Sequence, residues 1–252
     1  MVRSIIFMRT IARHGRIACV IGMLILPMAT PSFALAESTA RLPAPTLDAP
    51  KAAGPLQTAV VAGGCFWGVQ GVFQHVRGVR SVVSGYAGGE EKTAHYHEVS
   101  SGTTGHAESV EIRFDPEAVS YGEILRIFFS VVHDPTEVNR QGPDVGPQYR
   151  SVIFYRDDTQ AVIARAYIAQ LDKLRVFKRP IATRVDPMKG FYRAEETHQD
   201  FLINYPNSPY IVINDLPKIA ALKALFADDY REQPVHAADS AIPITIDDAR
   251  QR

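Results

Sequence analysis

A short glycine-rich segment carries the cysteine whose neighbours suggest chemistry, Gly63-Gly64-Cys65-Phe66-Trp67-Gly68. It holds the single tryptophan of the sequence, and a thiol followed by two aromatic rings is typical of a nucleophile beside a small apolar pocket. Residues 58–62 favour a strand, whereas residues 69–76 place apolar groups at helical spacing. Cys65 is therefore predicted at a helix start, where unpaired N–H groups and the helix dipole favour the thiolate. Free cysteines are also commonly small buried apolar residues, and these neighbours leave both interpretations open.

Glu108 is a second residue whose position suggests chemistry. The segment 110–114 alternates apolar and polar residues and stops at Asp115-Pro116, as a strand does. Counting back by twos from Phe114 leads to Glu108, whose carboxyl would lie on the apolar face where the strand begins. Loss of hydration there raises the pKa of a carboxyl and suits a general acid at neutral pH. A frayed strand end would instead leave Glu108 in water.

Strand-like runs alternate with helical patterns along the rest of the chain, which predicts a sheet with helices packed on it. The further strands are predicted over residues 79–86, 151–155 and 181–185. Helices are predicted over residues 121–133, 159–174, 195–204 and 216–226. The inward-facing residues are predicted to be Ile124, Leu125, Phe128, Phe129 and Val132 in the first of these helices, and Val162, Ile163, Ala166 and Leu171 in the second.

The first 36 residues have the order of regions found in a secretory signal peptide. A basic stretch over 3–16 precedes an apolar run over 17–26, and Ala34-Leu35-Ala36 supplies small residues for cleavage after Ala36. The apolar run is short for a membrane span. We therefore expect an exported protein, periplasmic or secreted, with no stable membrane association after the signal is removed.

The remaining chain is predicted to be one domain with two tails. Residues 37–54 are rich in Pro and Ala and read as a flexible leader, residues 55–230 form the domain, and residues 231–252 form a flexible tail. Lys and Arg number 27, as do Asp and Glu, so no overall charge favours nucleic acid. Loss of the signal would also remove Cys19 and leave Cys65 unable to form an internal disulfide.

Several ordered motifs resemble those of the A-type peptide methionine sulfoxide reductases. The segment Gly64-Cys65-Phe66-Trp67-Gly68 looks like the active-site signature of that family. Further matching segments bring the resemblance to roughly residues 58–210; they are 85–89, 96–99, 101–108, 133–136, 139–151 and 194–202. The resemblance implies an α/β (α+β) fold, a two-layer sandwich of ferredoxin-like type with a mixed sheet and packed helices.

The resemblance also implies an activity, the thiol-dependent reduction of the S epimer of methionine sulfoxide, free or in proteins, without a cofactor. Cys65 would attack the sulfoxide sulfur and Glu108 would donate the proton, leaving methionine and a Cys65 sulfenic acid. The implied binding residues are Tyr96 and Tyr149 at the sulfoxide oxygen, Phe66 and Trp67 around the methyl group, and Asp144 as an organiser of the site. Tyrosines are more often core residues, so Tyr96 and Tyr149 depend on the motif match.

The chain departs from many members of that family because it has no second cysteine to resolve the sulfenic acid. Ser100 stands where some members carry one, and Ile211 follows Pro209-Tyr210 with no later cysteine. The sulfenic acid would then be reduced by an external thiol, either a small thiol or a thioredoxin-like protein. We expect a monomer that repairs oxidised exported proteins.

A metal site is one alternative function. Histidines alternate on a polar loop, and a thiol could complete a zinc ligand set drawn from His95, His97, Glu98, His106, Glu108 and Cys65. The loop lacks the paired cysteines or helical histidine spacing of stronger metal motifs. The sequence therefore predicts no metal.

Two further alternatives use the same thiol. Acyl transfer would need Cys65 as nucleophile with His133 or His198 as base, although either histidine could equally be a structural hydrogen-bonding residue. A thiol that only senses oxidants would form a sulfenic acid with peroxide but would not turn over a sulfoxide. Variants of Glu108 and of the two histidines distinguish a reductase from an acyl enzyme.

Overall fold

The structure, a computed structural model, describes residues 41–237. Within this range the strands are β1 (Gln57–Ala62), β2 (Val79–Ala87), β3 (Ala107–Phe114), β4 (Arg140–Gln141), β5 (Asp144–Val145), β6 (Val152–Tyr155), β7 (Arg184–Pro187) and β8 (Phe191–Arg193). The α-helices are α1 (Phe66–Gln74), α2 (Tyr96–Val99), α3 (Tyr121–Ile127), α4 (Asp158–Leu174), α5 (Phe201–Asn204) and α6 (Leu216–Leu225). Two π-helical turns, Phe128–Val132 and Ile211–Asp215, continue α3 and lead into α6.

Six of these strands form one mixed sheet in the order β7-β6-β1-β3-β2-β8. The central four strands are antiparallel to one another, and the crossovers through α1 and α3 give the βαββαβ connectivity of a ferredoxin-like core. The edge strand β7 runs parallel to β6, whereas β4 and β5 form a separate ribbon. The predicted α/β fold with a mixed sheet and packed helices is confirmed.

One face of the sheet carries most of the core. Helices α1, α3, α4 and α6 pack there against alternate strand residues such as Val61 in β1 and Val110 and Ile112 in β3. The opposite face carries a smaller cluster that includes Val60 and Phe154. Because side chains alternate along a strand, the residue two before Val110 also points towards the helices. That residue is Glu108.

Two details of the predicted helices are wrong. Val162 is 54% exposed, because the buried stripe of α4 passes through Ala161, Ala164 and Leu171 and leaves Val162 on the outer side. The helix predicted over 195–204 is broken into a 3₁₀ turn and the short α5, because Asp200 adopts a left-handed backbone with φ 54°. The stripe predicted over 121–133 is confirmed, since all of its members are buried.

The described part of the leader packs on the domain, although its composition predicts a flexible segment. Leu42 is 3% exposed, its N–H donates to Ser130 Oγ at 3.2 Å, and its carbonyl accepts from Arg126 Nε at 2.6 Å. Tyr167 Oη donates to the Pro43 carbonyl at 2.8 Å. One apolar side chain and its neighbouring backbone groups thus bind residues 41–43 to α3, to the π-helical turn that continues it and to α4.

Asp48 fixes the leader at a second point, the start of α3. Its carboxylate accepts from Ser120 Oγ at 2.5 Å and from the Gly122 N–H at 2.8 Å. The first tail residues are also bound, since the Arg231 N–H donates to the His75 carbonyl at 2.8 Å.

No helix within residues 41–237 is both long and apolar enough to cross a membrane. The predicted signal peptide lies outside the described residues.

Candidate active site

The turn from β1 into α1 holds Cys65. Gly64 has φ 95°, and a Cβ there would lie 2.6 Å from Gln141 Cγ, so the tight turn needs a residue without a side chain. Cys65 follows as the N-cap of α1 and is half-buried. The prediction that the thiol lies where a strand turns into a helix is confirmed.

Glu108 lies beside this helix start, on the core face of β3. It is 2% exposed, and its Oε2 accepts the N–H of Phe66, the residue after Cys65, at 3.0 Å. Burial raises the pKa of the carboxyl from 4.5 to about 8, with the Phe66 N–H opposing and Asp144 adding to the rise. The predicted burial and raised pKa are confirmed, and Glu108 is mostly a neutral acid at neutral pH.

The thiol itself differs from the sequence-based expectation. Burial raises the pKa of Cys65 well above its ordinary value, and the carboxyl groups of Glu108 and Asp215 raise it further. The N–H of Trp67 at the helix start lowers it but is outweighed. The expectation that the helix start favours a thiolate is therefore wrong for this environment, and the resting group is a thiol.

Two tyrosines converge on the same place from different loops. Tyr96 begins α2, and Tyr149 ends a 3₁₀ turn that precedes β6; both are half-buried. Burial raises the pKa of each phenol, and the carboxyl of Glu108 raises it further. Both hydroxyls remain neutral donors, and both interact electrostatically with Cys65 and Asp144. The structure thus brings together Cys65, Glu108, Tyr96, Tyr149 and Asp144.

The two aromatic residues after the thiol occupy different depths. Trp67 is partly exposed, stacks on Phe201 with ring centroids 3.7 Å apart, and meets the edge of Tyr210 at 5.7 Å. Phe66 is 1% exposed and packs against Tyr86 at 5.9 Å. Trp67 therefore supplies apolar surface at the site, while Phe66 supports it from the core.

Residues beyond the predicted set hold the site in place. Glu195 accepts from Tyr86 Oη at 2.8 Å and from the Tyr96 N–H at 2.9 Å, which ties α2 to the sheet. Tyr210 Oη donates to Asp144 Oδ2 at 2.5 Å and orients that carboxylate. Glu195 lies in the motif segment 194–202, and Tyr210 directly precedes Ile211. The sequence therefore drew attention to both positions but did not show which residues they contact.

The histidines of the alternative metal site do not converge. His95 and His97 are exposed. His106 is 2% exposed, its Nδ1 accepts the Gly89 N–H at 3.3 Å, and its Nε2 bonds the Glu90 carbonyl at 3.0 Å. Across residues 41–237, no group of three or more His, Cys, Asp and Glu side chains is placed to hold a metal ion.

The two histidines considered as bases are engaged elsewhere. His133 Nε2 bonds Ser151 Oγ at 2.7 Å, and burial lowers the pKa of the imidazole to about 3. His198 Nδ1 accepts from Trp67 Nε1 at 3.2 Å, and its ring lies 4.2 Å from that of Tyr96. The contacts of His133 are those of a structural residue, and those of His198 support the aromatic side of the site.

Comparisons with known proteins show which sequences this chain is similar to. A family model described as peptide methionine sulfoxide reductase matches residues 57–230. The peptide methionine sulfoxide reductase MsrA 2 of Mesorhizobium japonicum is 58% identical over 185 residues, which cover 73% of this chain and 95% of that protein. The MsrA 2 of Synechocystis sp. is 47% identical over 211 residues, which cover 82% and 99% of the two chains.

Solved structures give the same picture of the fold. Mxr1 from Saccharomyces cerevisiae in reduced form is similar with a TM-score of 0.55 and 32% identity, covering 61% of this chain and 88% of that one. Methionine sulfoxide reductase A of Corynebacterium diphtheriae is similar with a TM-score of 0.53 and 30% identity, covering 68% and 86%. The sheet and packed helices described above are thus those of these proteins.

Proposed function

The chain belongs to the peptide methionine sulfoxide reductase family and is a peptide-methionine (S)-S-oxide reductase, and we propose that Cys65 is its attacking thiol and Glu108 its proton donor. The observation that carries this proposal is the bond from the Phe66 N–H to Glu108 Oε2 at 3.0 Å. Because Phe66 directly follows Cys65, this bond holds a neutral carboxylic acid of β3 against the turn that carries the thiol. A carboxyl with a pKa near 8 can give a proton at neutral pH and take it back.

The reaction transfers one oxygen atom and two electrons. Cys65 Sγ attacks the sulfoxide sulfur and forms an S–S bond, the oxygen takes the proton of Glu108, and the proton released by the thiol restores Glu108. The hydroxyl then moves from the substrate sulfur to Sγ as the S–S bond breaks, and the electron pair of that bond stays on the substrate sulfur. The oxygen ends on Cys65 as a sulfenic acid, and the substrate sulfur is reduced to the thioether of methionine. Tyr96 and Tyr149 donate hydrogen bonds to the oxygen as negative charge grows on it, which stabilises the transition state.

We infer that the aromatic surface beside Cys65 forms the pocket for the methyl end of the substrate. The face of Trp67 is fixed by its stacking on Phe201, so it can contact an S-methyl group without reorganising. Phe66 backs this surface from the core. Asp144, oriented by Tyr210, supplies a polar group near this aromatic surface. Free methionine S-sulfoxide and oxidised methionines of proteins both carry the group that this pocket fits.

Regeneration requires a thiol from outside the chain. The sequence has two cysteines, Cys19 and Cys65, and Ile211 is a fully buried residue at the start of the turn before α6. A first external thiol attacks the sulfenic sulfur and releases water, and a second thiol frees Cys65 from the mixed disulfide. Small thiols and a thioredoxin-like protein both supply this chemistry.

The order of regions over residues 1–36 supports export, and therefore a role in repairing oxidised proteins outside the cytoplasm. The mass of the protein recovered from the periplasm or medium checks this. We expect a first residue of Glu37, and a protein retained in the cytoplasm with residues 1–36 intact would contradict it.

Turnover of separated S and R epimers of methionine sulfoxide with dithiothreitol tests the chemistry. We expect reduction of the S epimer alone, abolished in Cys65→Ser and retained in the matched variant Cys19→Ser. A Cys65→Ser variant that still reduces the S epimer would refute the assignment of the thiol. Formation of a sulfenic acid with peroxide but no turnover would favour the oxidant sensor instead.

A further inference from the structure

A buried ion pair beside the catalytic turn is not used by the reaction described above. Asp215, the last residue of the turn before α6, is fully buried, and its Oδ1 lies 3.0 Å from Lys218 Nζ. Its Oδ2 has no hydrogen-bond partner in the described part of the chain. A buried carboxylate with an unsatisfied oxygen lowers stability relative to packed apolar side chains.

The pair lies against the first turn of α1. A Cβ at residue 68 would clash with Asp215 Oδ1 and lie 2.9 Å from Lys218 Nζ. Gly68, three residues after Cys65, has no side chain and thus leaves room for the two charged groups. Asp215 ends the turn that begins at Ile211, and this turn directly follows Tyr210 at the site.

The charges that face Cys65 come from three directions. They are the carboxyl groups of Glu108 on β3, Asp215 before α6 and Asp144 on β5, together with the phenols of Tyr96, Tyr149 and Tyr210. Glu108 is mostly neutral at neutral pH, and the phenols remain neutral. Lys218 stabilises the charge of Asp215 and opposes the rise that burial gives to its pKa. Within its ion pair with Lys218, the Asp215 carboxylate is a negative group against the first turn of α1, and it raises the pKa of the thiol.

We propose that Asp215, held by Lys218, is a positioning residue that keeps Cys65 as a thiol of low reactivity. The benefit follows from the single cysteine of the domain. A sulfenic acid formed by a stray oxidant has no internal thiol to resolve it and can proceed to the irreversible sulfinic acid. This inference rests on the proposed function, because it concerns the same attacking thiol.

The pH dependence of alkylation by iodoacetamide tests the proposal in the full chain carrying Cys19→Ser, where Cys65 is the one reactive cysteine. In Asp215→Asn we expect the midpoint of the rate profile to move to lower pH, with the plateau at high pH unchanged. The rate at neutral pH should rise about tenfold, as a fall of one pKa unit implies. A merely structural role would lower the urea midpoint of unfolding but leave the midpoint of the alkylation profile in place.

A second variant guards against misfolding caused by leaving the half-buried Lys218 without its carboxylate partner. Asp215→Asn with Lys218→Met removes both charges, which buried sites tolerate better than one uncompensated charge. Its alkylation midpoint should lie below that of the parent and above that of the single variant. The matched control Asp48→Asn, at the start of α3, should alkylate like the parent.

Alkylation does not depend on sulfoxide turnover, so the two proposals can fail separately. An unchanged or higher midpoint in both Asp215 variants, with a parent that reduces the S-sulfoxide, would overturn the inference alone. A parent that reduces no sulfoxide would overturn the proposed function and the inference with it.

Discussion

Two buried carboxyl groups flank the first turn of α1 and are held by different partners. Glu108 is 2% exposed and bonds a backbone N–H, and its pKa is about 8. Asp215 is fully buried and pairs with the ammonium of Lys218 at 3.0 Å. A peptide dipole does not offset the cost of burying a charge, whereas a full cation goes much further. Burial raises the pKa of both carboxyls, and the partner sets how strongly that rise is opposed.

The largest effect should come from removing the neutral acid. Glu108→Gln keeps the shape of the side chain but has no acidic proton, so kcat for the S-sulfoxide should fall by about 10²–10⁴-fold, the usual contribution of a general acid. The measurement is kcat with dithiothreitol at neutral pH. Glu111→Gln is the matched control, because Glu111 lies on the same strand with its side chain on the other face and also has a pKa raised by burial. Equal losses in both variants would contradict the assignment of Glu108.

A second test uses the stability that the raised pKa of Glu108 costs. Between pH 4.5 and about 8 the folded state binds more protons at this site than the unfolded state, so stability falls as pH rises. The slope is about 1.4 kcal/mol per pH unit for one group, and the effect is absent below the unfolded pKa. In urea unfolding, Glu108→Gln should therefore gain stability relative to the parent as pH rises through this window. A difference that is constant with pH would show that Glu108 is not protonated in the folded state.

The smallest effect should come from Asp144, which raises the pKa of Glu108, Cys65 and Asp215 as the weakest of the causes acting on each. Asp144→Asn should move the alkaline limb of kcat/KM to lower pH, because Glu108 then loses its proton more readily. Tyr210→Phe keeps the charge of Asp144 and removes only its hydrogen bond, so its limb should not move in that direction. A limb shifted equally in the two variants would mean that orientation, not charge, couples these carboxyl groups.

The features that the sequence predicts correctly depend on local periodicity. The alternation of β3 places Glu108 on the core face, and the change from strand to helix spacing locates Cys65. The alternation of elements gives the class of sheet. Each of these predictions depends on residues a few positions apart, so a single sequence contains enough information to make them.

The features that it misses depend on contacts between distant segments. Glu195 reaches the Tyr96 N–H across 99 positions, and the effect of Asp215 on Cys65 depends on α6 folding back against α1. The thiolate prediction fails for the same reason, because the helix start is visible in the sequence while the surrounding carboxyl groups are not. In the sequence Leu42 lies in a Pro- and Ala-rich segment, and the surface of α3 and α4 that binds it exists only in the folded domain.

The packed leader has a consequence for the order of folding. The Leu42 N–H bonds Ser130 across 88 positions, and Thr46 bonds Gln170 across 124. The ribosome synthesises the leader before α3 and α4, so the leader can dock only after those helices have formed. Contacts of such long range form late in folding. We expect the leader to be free in the folding transition state, so that weakening it accelerates unfolding and leaves the folding rate nearly unchanged. It acts as a latch on the finished domain.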